Sequence, residues 1–191
     1  MNKIIAIACS TGGPKALQQL VPQLNDRLHC PVVIVQHMPN GFTKSLAERL
    51  DLICSLPVCE AEDNMIIENN KVYIAKAGYH LKIAPARNCH KIVFSEEPNR
   101  NGVRPCANYM YESLAQCNYD EIICVVLTGM GCDGTEGIEY LSQKKPIQVL
   151  VQDKESAVVY GMPGSILKSK VKTKICNLSE LGNEMIKLSE G

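Results

Sequence analysis

The sequence has few of the residues and charge patterns that mark a large binding surface. It contains no tryptophan and two phenylalanines, and aromatic residues make up 5% of its 191 positions. Twenty lysines and arginines balance twenty aspartates and glutamates, so the formal net charge at pH 7 is zero. Because a neutral chain has no bulk field that attracts polyanions, we do not expect nucleic acid or an anionic membrane surface as a partner.

The sequence also lacks signals for export, membrane insertion and metal binding. No apolar run approaches the roughly 20 residues of a membrane-spanning helix, and no charged leader followed by an apolar stretch opens the chain. Its ten cysteines are scattered and form no CxxC pair, which argues against a disulfide framework and against a zinc site. We therefore expect a cytoplasmic protein with reduced thiols, no membrane insertion and no metal.

Four short apolar runs rich in β-branched residues predict strands that are covered on both faces. They span residues 4–9, 32–35, 122–127 and 147–151. Apolar residues at helical spacing follow each of the first three runs. This alternation predicts an α/β fold with a doubly wound, mostly parallel sheet flanked by helices. The length fits a single domain over residues 1–191.

The segment 58–98 departs from the strand-and-helix alternation. Its short strand patterns, separated by turn residues, predict a β-hairpin or meander inserted into the fold. These patterns cover residues 72–75, 81–84 and 92–94. The following stretch, EEPNRNGVRP at 96–105, predicts an exposed loop before a helix over 106–116.

Three polar side chains follow the predicted core strands. Ser10 ends the first strand, His37 ends the second, and Asp133 lies just past the third. In a doubly wound sheet, ligands bind beyond the carboxyl ends of the strands, where the connecting loops meet. A serine, an imidazole and a carboxylate in such loops suit a nucleophile, its base and the group that orients the base.

Each of these residues also has a structural explanation when it is taken alone. Ser10 before two glycines fits a helix cap or a turn residue. His37 fits a loop histidine with satisfied hydrogen bonds, and Asp133 fits the start of a helix at residue 135. A phosphate-binding loop is a further alternative, but CSTGGPK at 9–15 matches neither GxxxxGK[ST] nor GxGxxG. The conjunction of the three favours a hydrolytic site.

Five separated motifs occur in one order over nearly the whole chain. They are ACSTGGP from residue 8, VVIVQHMP from 32, VYIAKAGYHL from 72, LTGMGCDG from 127 and VVYGMP from 158. Together they resemble the catalytic domain of the CheB family of chemotaxis receptor methylesterases. The resemblance implies that Ser10 is the nucleophile, His37 the general base and Asp133 the orienting carboxylate. It also implies that backbone amides near Thr11 and Met130 donate to the oxyanion.

The resemblance further implies a serine hydrolase without a metal or an organic cofactor. Its reaction would be the demethylation of glutamate methyl esters on chemoreceptors, with release of methanol, and the deamidation of particular receptor glutamines in chemotaxis adaptation. Its partners would be the cytoplasmic helices of methyl-accepting receptors. Two other hypotheses stay open: a hydrolase of this type that acts on another modified protein, and a noncatalytic signalling module that binds a partner.

Many members of this family carry a phosphorylatable receiver domain ahead of the catalytic domain. Here the first predicted core strand begins almost at Met1. We therefore expect one catalytic domain over residues 1–191 without a receiver domain in this chain. Two alternatives stay open: the chain naturally stands alone, with a separate receiver protein as a candidate regulator, or it is part of a longer protein from which the regulatory part is missing.

The same resemblance makes three further residues candidates for substrate binding. His80 matches a histidine of a family motif, Arg104 stands at the end of the predicted exposed loop, and Met162 lies in VVYGMP. Arginine suits the recognition of carboxylates, but it is also common as a solvated surface residue. For Met162, packing is the alternative explanation.

The chain departs from the family pattern at two places. The family usually has Pro-Gly where this chain has Lys76 and Ala77, so the loop before His80 is expected to differ in shape. After its Arg-Pro pair the family carries serine, then valine or alanine, then aspartate. This chain has Cys-Ala-Asn at 106–108.

Two cysteines flank the proposed nucleophile and orienting carboxylate. Cys9 precedes Ser10, and Cys132 precedes Asp133. A thiol nucleophile or a redox control is the alternative that they raise. We interpret both as small buried side chains.

Overall fold

The computed structural model describes all 191 residues and contains nine strands and six α-helices. The strands are β1 Lys3–Cys9, β2 Val32–Gln36, β3 Val58–Glu60, β4 Val72–Ile74, β5 His80–Pro85, β6 His90–Ser95, β7 Glu121–Val126, β8 Ile147–Gln152 and β9 Lys174–Cys176. The helices are α1 Gly13–Leu20, α2 Phe42–Asp51, α3 Ala107–Leu114, α4 Thr135–Ser142, α5 Gly161–Leu167 and α6 Leu178–Glu190. A 3₁₀ turn, Val21–Gln23, follows α1.

Seven strands form one parallel sheet in the order β3-β4-β2-β1-β7-β8-β9. Strand β1 lies at its centre, paired with β2 on one side and β7 on the other. The chain therefore places β2, β3 and β4 on one side of β1 and then β7, β8 and β9 on the other, which confirms the predicted doubly wound fold. Such a reversal of strand order opens a crevice at the carboxyl ends of the strands.

Helices cover both faces of the sheet. All seven residues of β1 are buried, and alternate residues of this strand enter two separate apolar cores. One core joins the sheet to α1, α2 and α6. The other joins it to α3, α4, α5 and the hairpin of β5 and β6. Because both faces are covered, the central strands are nearly continuous apolar runs, as the sequence indicates.

The four predicted core strands correspond to β1, β2, β7 and β8, with each end within one residue. The insertion predicted for residues 58–98 is only partly right. Strands β5 and β6 form the antiparallel hairpin, but β3 and β4 are parallel strands at the edge of the main sheet. A strand of three residues is too short for its periodicity to reveal which sheet it joins.

The helices are short. The longest, α6, has 13 residues, and none combines the length and the apolar character needed to cross a membrane. The helix predicted for 106–116 is α3, which begins and ends within two residues of the predicted bounds.

Helices α3 and α4 pack against each other at a glycine. A Cβ atom on Gly137 would lie 2.8 Å from both the Cα and the carbonyl oxygen of Asn108. One turn later in α3, the fully buried Tyr111 places its hydroxyl 3.1 Å from the carbonyl of Val125 and 3.2 Å from that of Ala6. These contacts fix the beginnings of α3 and α4 side by side above β1 and β7.

Gly137→Ala should lower the free energy of unfolding by roughly 1–3 kcal/mol, because the added methyl group must push the backbone of α3 away. Urea denaturation measures the change. The matched control is Gly164→Ala in α5, where the atoms nearest to an added Cβ are in the Tyr160 ring at 3.5 and 3.8 Å. That change should be neutral or stabilising by up to about 1 kcal/mol, since alanine favours helix over glycine. Equal stability of Gly137→Ala and the natural protein would contradict the close packing.

Candidate active site

The carboxyl ends of β1, β2 and β7 lie side by side and bring the three predicted catalytic loops together. The last residues of β1 and β2 are paired, so Ser10 and His37 leave neighbouring strands at the same level. On the other side, the backbone N–H of Ser10 donates to the carbonyl of Thr128 at 3.0 Å. Thr128 belongs to the loop that leads from β7 to Asp133.

His37 and Asp133 are in direct contact. Nε2 of His37 lies 2.7 Å from Oδ2 of Asp133, and the two side chains are 10% and 3% exposed. A carboxylate only accepts hydrogen bonds, so Nε2 carries the proton and Nδ1 presents its lone pair. The pair therefore has the form of a base whose tautomer and orientation are fixed by a carboxylate.

The buried carboxylate of Asp133 accepts hydrogen bonds at both oxygens. Besides His37, its donors are the backbone N–H of Ala107 at 2.7 Å, that of Asn108 at 3.1 Å and the thiol of Cys106 at 2.9 Å. These residues begin α3, where the positive end of the helix dipole adds to the attraction. Burial alone would raise the pKa of Asp133, but the bonds from His37, Cys106 and Ala107 hold that pKa below its ordinary value. Asp133 is therefore ionised at neutral pH and able to stabilise an imidazolium.

Cys106 acts here as a hydrogen-bond donor. Its side chain is fully buried, and burial together with the charge of Asp133 raises the pKa of its thiol to about 12. The thiol thus stays protonated at neutral pH and donates to the carboxylate. A cysteine at this position serves the orientation of Asp133.

His80 contacts the start of α3, which holds Asp133. The ring is fully buried, its Nδ1 accepts from the backbone N–H of Cys106 at 3.2 Å, and its Nε2 faces the carbonyls of Glu97 and Pro98 at 3.1 and 3.2 Å. Burial lowers the pKa of His80, so the neutral ring links residues 97–98 to the start of α3. This position favours a structural role over the predicted contact with substrate.

The geometry decides against the helix-cap interpretations of Ser10 and Asp133. Helix α1 begins after Gly12, at φ 82°, and α4 begins after Gly134, at φ 93°, and neither helix has a side-chain cap. Glycine adopts this left-handed conformation without steric cost. Both turns are therefore made by glycine, and neither polar side chain is consumed in capping the helix that follows it.

Ser10 lies beside the histidine, but its hydroxyl forms no hydrogen bond. The carbonyl of Ser10 accepts from the N–H of Gly13 at 2.8 Å and from Nε2 of Gln36 at 3.1 Å. The hydrogen bonds of the His37 ring include Asp133 and not Ser10. The structure thus joins His37 and Asp133 by a hydrogen bond. It places Ser10 at the end of the strand next to that of His37.

The backbone N–H groups predicted to bind the oxyanion have no partner within the chain. Neither Thr11 nor Met130 donates a backbone hydrogen bond, and the carbonyl of Thr11 accepts from Oγ1 of Thr128 at 2.9 Å. A Cβ atom on Gly129 would lie 2.8 Å from the Cβ of Ser10. Only glycine therefore lets the loops after β1 and β7 approach this closely.

Met162 does not line the rim of the site, contrary to the sequence-based expectation. It is fully buried, and its Sδ lies where a Cβ atom of Gly129 would have to be. Its side chain packs against Gly129 in the loop after β7. Packing, the alternative explanation, is the one that its position favours.

Arg104 and His37 both line a surface pocket of about 450 Å³. The remaining lining residues are Met38, Pro39, Asn40, Gly78, Asn99, Gly102 and Val103. The guanidinium makes only long hydrogen bonds, of 3.3 and 3.4 Å, to the carbonyls of Glu96 and Glu97. It forms no ion pair, so its other N–H groups can bind a carboxylate or carbonyl of a substrate.

The sequence analysis missed the roles of two residues in this site. Gln36, whose side chain reaches the carbonyls of Ser10 and His37, ends a strand that is buried on both faces, and a polar side chain there needs internal partners. That requirement is a usable sequence signal. Cys106 gave no such signal, because its bond to Asp133 joins residues 27 positions apart.

The cysteines that precede Ser10 and Asp133 differ in exposure. Cys9 is buried, as predicted, and burial raises the pKa of its thiol. Cys132 is exposed, which corrects the expectation that it is buried. It lies in a turn between Gly131 and Asp133, outside the apolar core. No group of three or more His, Cys, Asp or Glu side chains in the structure is arranged to hold a metal ion.

Brief treatment of the native protein with iodoacetamide at about pH 8 should modify Cys132 and leave Cys106 intact, because only the first thiol is exposed and the pKa of the second is about 12. Peptide mass spectrometry measures both sites. In guanidinium all ten cysteines should react, which serves as the control. Rapid modification of Cys106 in the native protein would show that its thiol is not a buried donor.

The sequence matches a family model, described as CheB methylesterase, over residues 5–185. A protein-glutamate methylesterase/protein-glutamine glutaminase of Geobacillus kaustophilus strain HTA426 is 41% identical over 185 residues, which cover 97% of this chain and 53% of that protein. A protein-glutamate methylesterase/protein-glutamine glutaminase 1 of Syntrophomonas wolfei is 39% identical over 192 residues, covering 98% and 54%. The chain spans about half the length of the curated relatives it matches.

The similarity extends to three dimensions. The crystal structure of the Thermotoga maritima CheB methylesterase catalytic domain matches with a TM-score of 0.93 and 36% sequence identity, and the match covers 98% of this chain and 99% of that one. The family model, the curated relatives and the solved structure thus agree with the resemblance carried by the five motifs. This chain belongs to the CheB methylesterase family.

Proposed function

We propose that this chain is a serine hydrolase that removes methyl groups from glutamate methyl esters of chemoreceptors and deamidates particular receptor glutamines. The observation that carries the proposal is the 2.7 Å hydrogen bond between His37 and Asp133, formed next to Ser10 at the carboxyl edge of the sheet. The names of the relatives, protein-glutamate methylesterase/protein-glutamine glutaminase, support this reaction.

Catalysis begins with the attack of the Ser10 oxygen on the ester carbonyl, while His37 takes the proton of the hydroxyl. A serine hydroxyl is a weak nucleophile near neutral pH, so its attack on an ester carbonyl requires a base that takes the proton as the new bond forms. Nδ1 of His37 is that base, because Nε2 is engaged by Asp133. Bonds between nucleophile and base often tighten only once substrate is bound, which is consistent with the unbonded hydroxyl of Ser10.

The tetrahedral intermediate is stabilised by N–H groups that are already in place. Its negative oxygen is bound by the backbone N–H groups of Thr11 and Met130, which have no competing partner in the chain. Loss of one such donor typically costs about 3–4 kcal/mol of barrier. Asp133 stabilises the positive charge on His37 at the same time.

Collapse of the intermediate breaks the bond to the methoxy group, and His37 returns its proton to the departing methanol. Water then attacks the acyl group on Ser10, again with His37 as the base, and releases the glutamate side chain. A glutamine follows the same path with ammonia as the leaving group. One site therefore serves both activities, and the residues use no metal or organic cofactor.

The substrate in this proposal is a cytoplasmic helix of a methyl-accepting receptor, and the protein acts in the cytoplasm. The target side chain enters from the pocket beside His37, where Arg104 binds a carbonyl or carboxylate next to the ester. His80 and Met162 act indirectly, by supporting the loops. A receiver domain, on a separate protein or elsewhere on a longer chain, supplies regulation.

Ser10→Ala and His37→Ala should each lower the rate of methanol release from methyl-labelled receptor membranes by on the order of 10³-fold or more, because the nucleophile and its base act as a unit. Release of labelled methanol measures the rate. Lys187→Ala, on the exposed face of α6, is the control and should keep the natural rate. If the serine and histidine variants retain normal rates, their assigned roles are wrong. If the natural protein binds the receptor but releases no methanol, it is a binding module.

Arg104→Gln should raise the KM for receptor substrate and lower kcat/KM by about 10- to 100-fold, since a hydrogen bond to a charged group is worth roughly 1.5–3 kcal/mol. Its kcat should change little, because Arg104 does not touch the catalytic pair. Steady-state kinetics on receptor membranes measures both constants. The control is Arg87→Gln, an exposed arginine in the turn between β5 and β6, which should keep the natural KM. An unchanged KM in Arg104→Gln would remove Arg104 from the substrate site.

A further inference from the structure

We infer that Gln36 is a positioning residue, whose side-chain amide sets the spacing between the loop of the nucleophile and the loop of the base. The inference rests on the proposed function, since it takes Ser10 as nucleophile and His37 as base. Gln36 is the last residue of β2 and is 1% exposed. Its Nε2 donates to the carbonyl of Ser10 at 3.1 Å and to that of His37 at 2.8 Å. A primary amide has two N–H groups, so both are used on the two catalytic loops.

The location of this amide explains why it couples the loops. The ladder between β1 and β2 ends at Cys9 and Gln36, and backbone carbonyls beyond that point have no strand partner. The carbonyl of Ser10 has a second donor, the N–H of Gly13 at 2.8 Å, whereas the carbonyl of His37 accepts only from Gln36. The side chain therefore continues the pairing of β1 and β2 by one step.

The amide is held in one orientation. Its Oε1 is buried without a hydrogen-bond donor, and it lies so close to Gly13 that a Cβ atom there would overlap it. A rotation that exchanged Oε1 and Nε2 would set an oxygen against two carbonyl oxygens. The two bonds to Ser10 and His37 thus outweigh the unsatisfied Oε1, and the side chain is fixed between them and the first residue of α1.

A small shift between these loops has a large effect on the reaction. Proton transfer requires Ser10 and His37 at hydrogen-bond distance, and a misplacement of about 1 Å can slow catalysis by about 100-fold. Without the amide, the carbonyl of His37 is left without a partner, and the two strand ends keep only the bond from the N–H of His37 to the carbonyl of Cys9 at 3.1 Å. Replacing a residue that has a purely structural role would lower the stability of the protein, but it would leave the reactivity of each folded molecule unchanged.

The test measures the reaction of Ser10 with a fluorophosphonate probe in the full 191-residue chain, at several pH values. In this reaction the Ser10 oxygen attacks phosphorus, the bond to fluorine breaks, fluoride leaves and the proton passes to His37. No receptor is needed. In the natural protein the rate should depend on pH, because the reaction uses a general base.

Gln36→Met, which has no donor, and Gln36→Glu, which keeps the shape and loses at least one donor, should react about 10- to 100-fold more slowly near neutral pH. Their rates should also depend less on pH, because His37 no longer controls the removal of the proton. Rates are divided by the folded fraction from a parallel thermal melt. Should Gln36→Met fail to fold, Gln36→Glu decides the question.

The matched control is Gln23→Met. The amide of Gln23 also bridges backbone groups of separate elements, with Nε2 donating to the carbonyl of Gln19 in α1 at 2.8 Å and to that of Leu178 in α6 at 3.1 Å, but it lies between α1 and α6. Gln23→Met should be less stable and should keep the natural reaction rate and pH profile for each folded molecule.

The outcomes separate the two proposals. If the natural protein is not modified at Ser10, the proposed function fails and the role of Gln36 fails with it. If the natural protein reacts and both Gln36 variants match its rate and pH profile, the positioning role is wrong and the hydrolase stands. If Gln23→Met is slowed as much as the Gln36 variants, the effect reflects general stability, and the positioning role is again overturned.

Discussion

The buried carboxylate of Asp133 is the interaction on which the site depends. An isolated charge in this position would be costly enough to become neutral, and neutral Asp133 could not stabilise a charged His37. Four donors prevent this: the imidazole, the thiol of Cys106 and two backbone N–H groups at the start of α3. The position of α3 therefore determines the environment of Asp133, and the close packing of α3 on α4 holds that helix in place.

The strands end in polar side chains that hold the catalytic loops. Gln36 ends β2 and binds the loop after β1, and Gln152 ends β8, where its Oε1 accepts from the backbone N–H of Thr128 at 2.8 Å. Both glutamines are buried. The loop of Ser10 is thus bound by an amide from β2, and the loop after β7 is bound by an amide from β8. The same sheet that is apolar along its length becomes a network of hydrogen bonds at its carboxyl edge, because the backbone groups there have no further strand partner.

The loop beside the pocket of His37 and Arg104 is fixed by a different set of contacts. Arg100, in the loop that leads to α3, forms ion pairs of 2.7 Å with Glu112 of α3 and Glu136 of α4. Partly exposed ion pairs contribute little to stability, but these two join one loop to both helices beside Asp133. Together with His80, they connect the surface that would receive a substrate to the groups that orient the base.

The sequence by itself determined the parallel sheet and the loops that hold the candidate site residues. A strand that is buried on both faces is a continuous apolar run, and such a run can be recognised within the segment itself. It therefore predicted β1, β2, β7 and β8 and pointed to Ser10, His37 and Asp133. Only the tertiary structure decided that β3 and β4 join the main sheet, that Met162 and His80 are buried, that Cys132 is exposed, that Cys106 donates to Asp133, and that Gln36 donates to the carbonyls of Ser10 and His37. Each of these features depends on contacts between residues that are distant in the chain, or on the conformation of a single turn. The local pattern of apolar and polar residues does not predict such contacts.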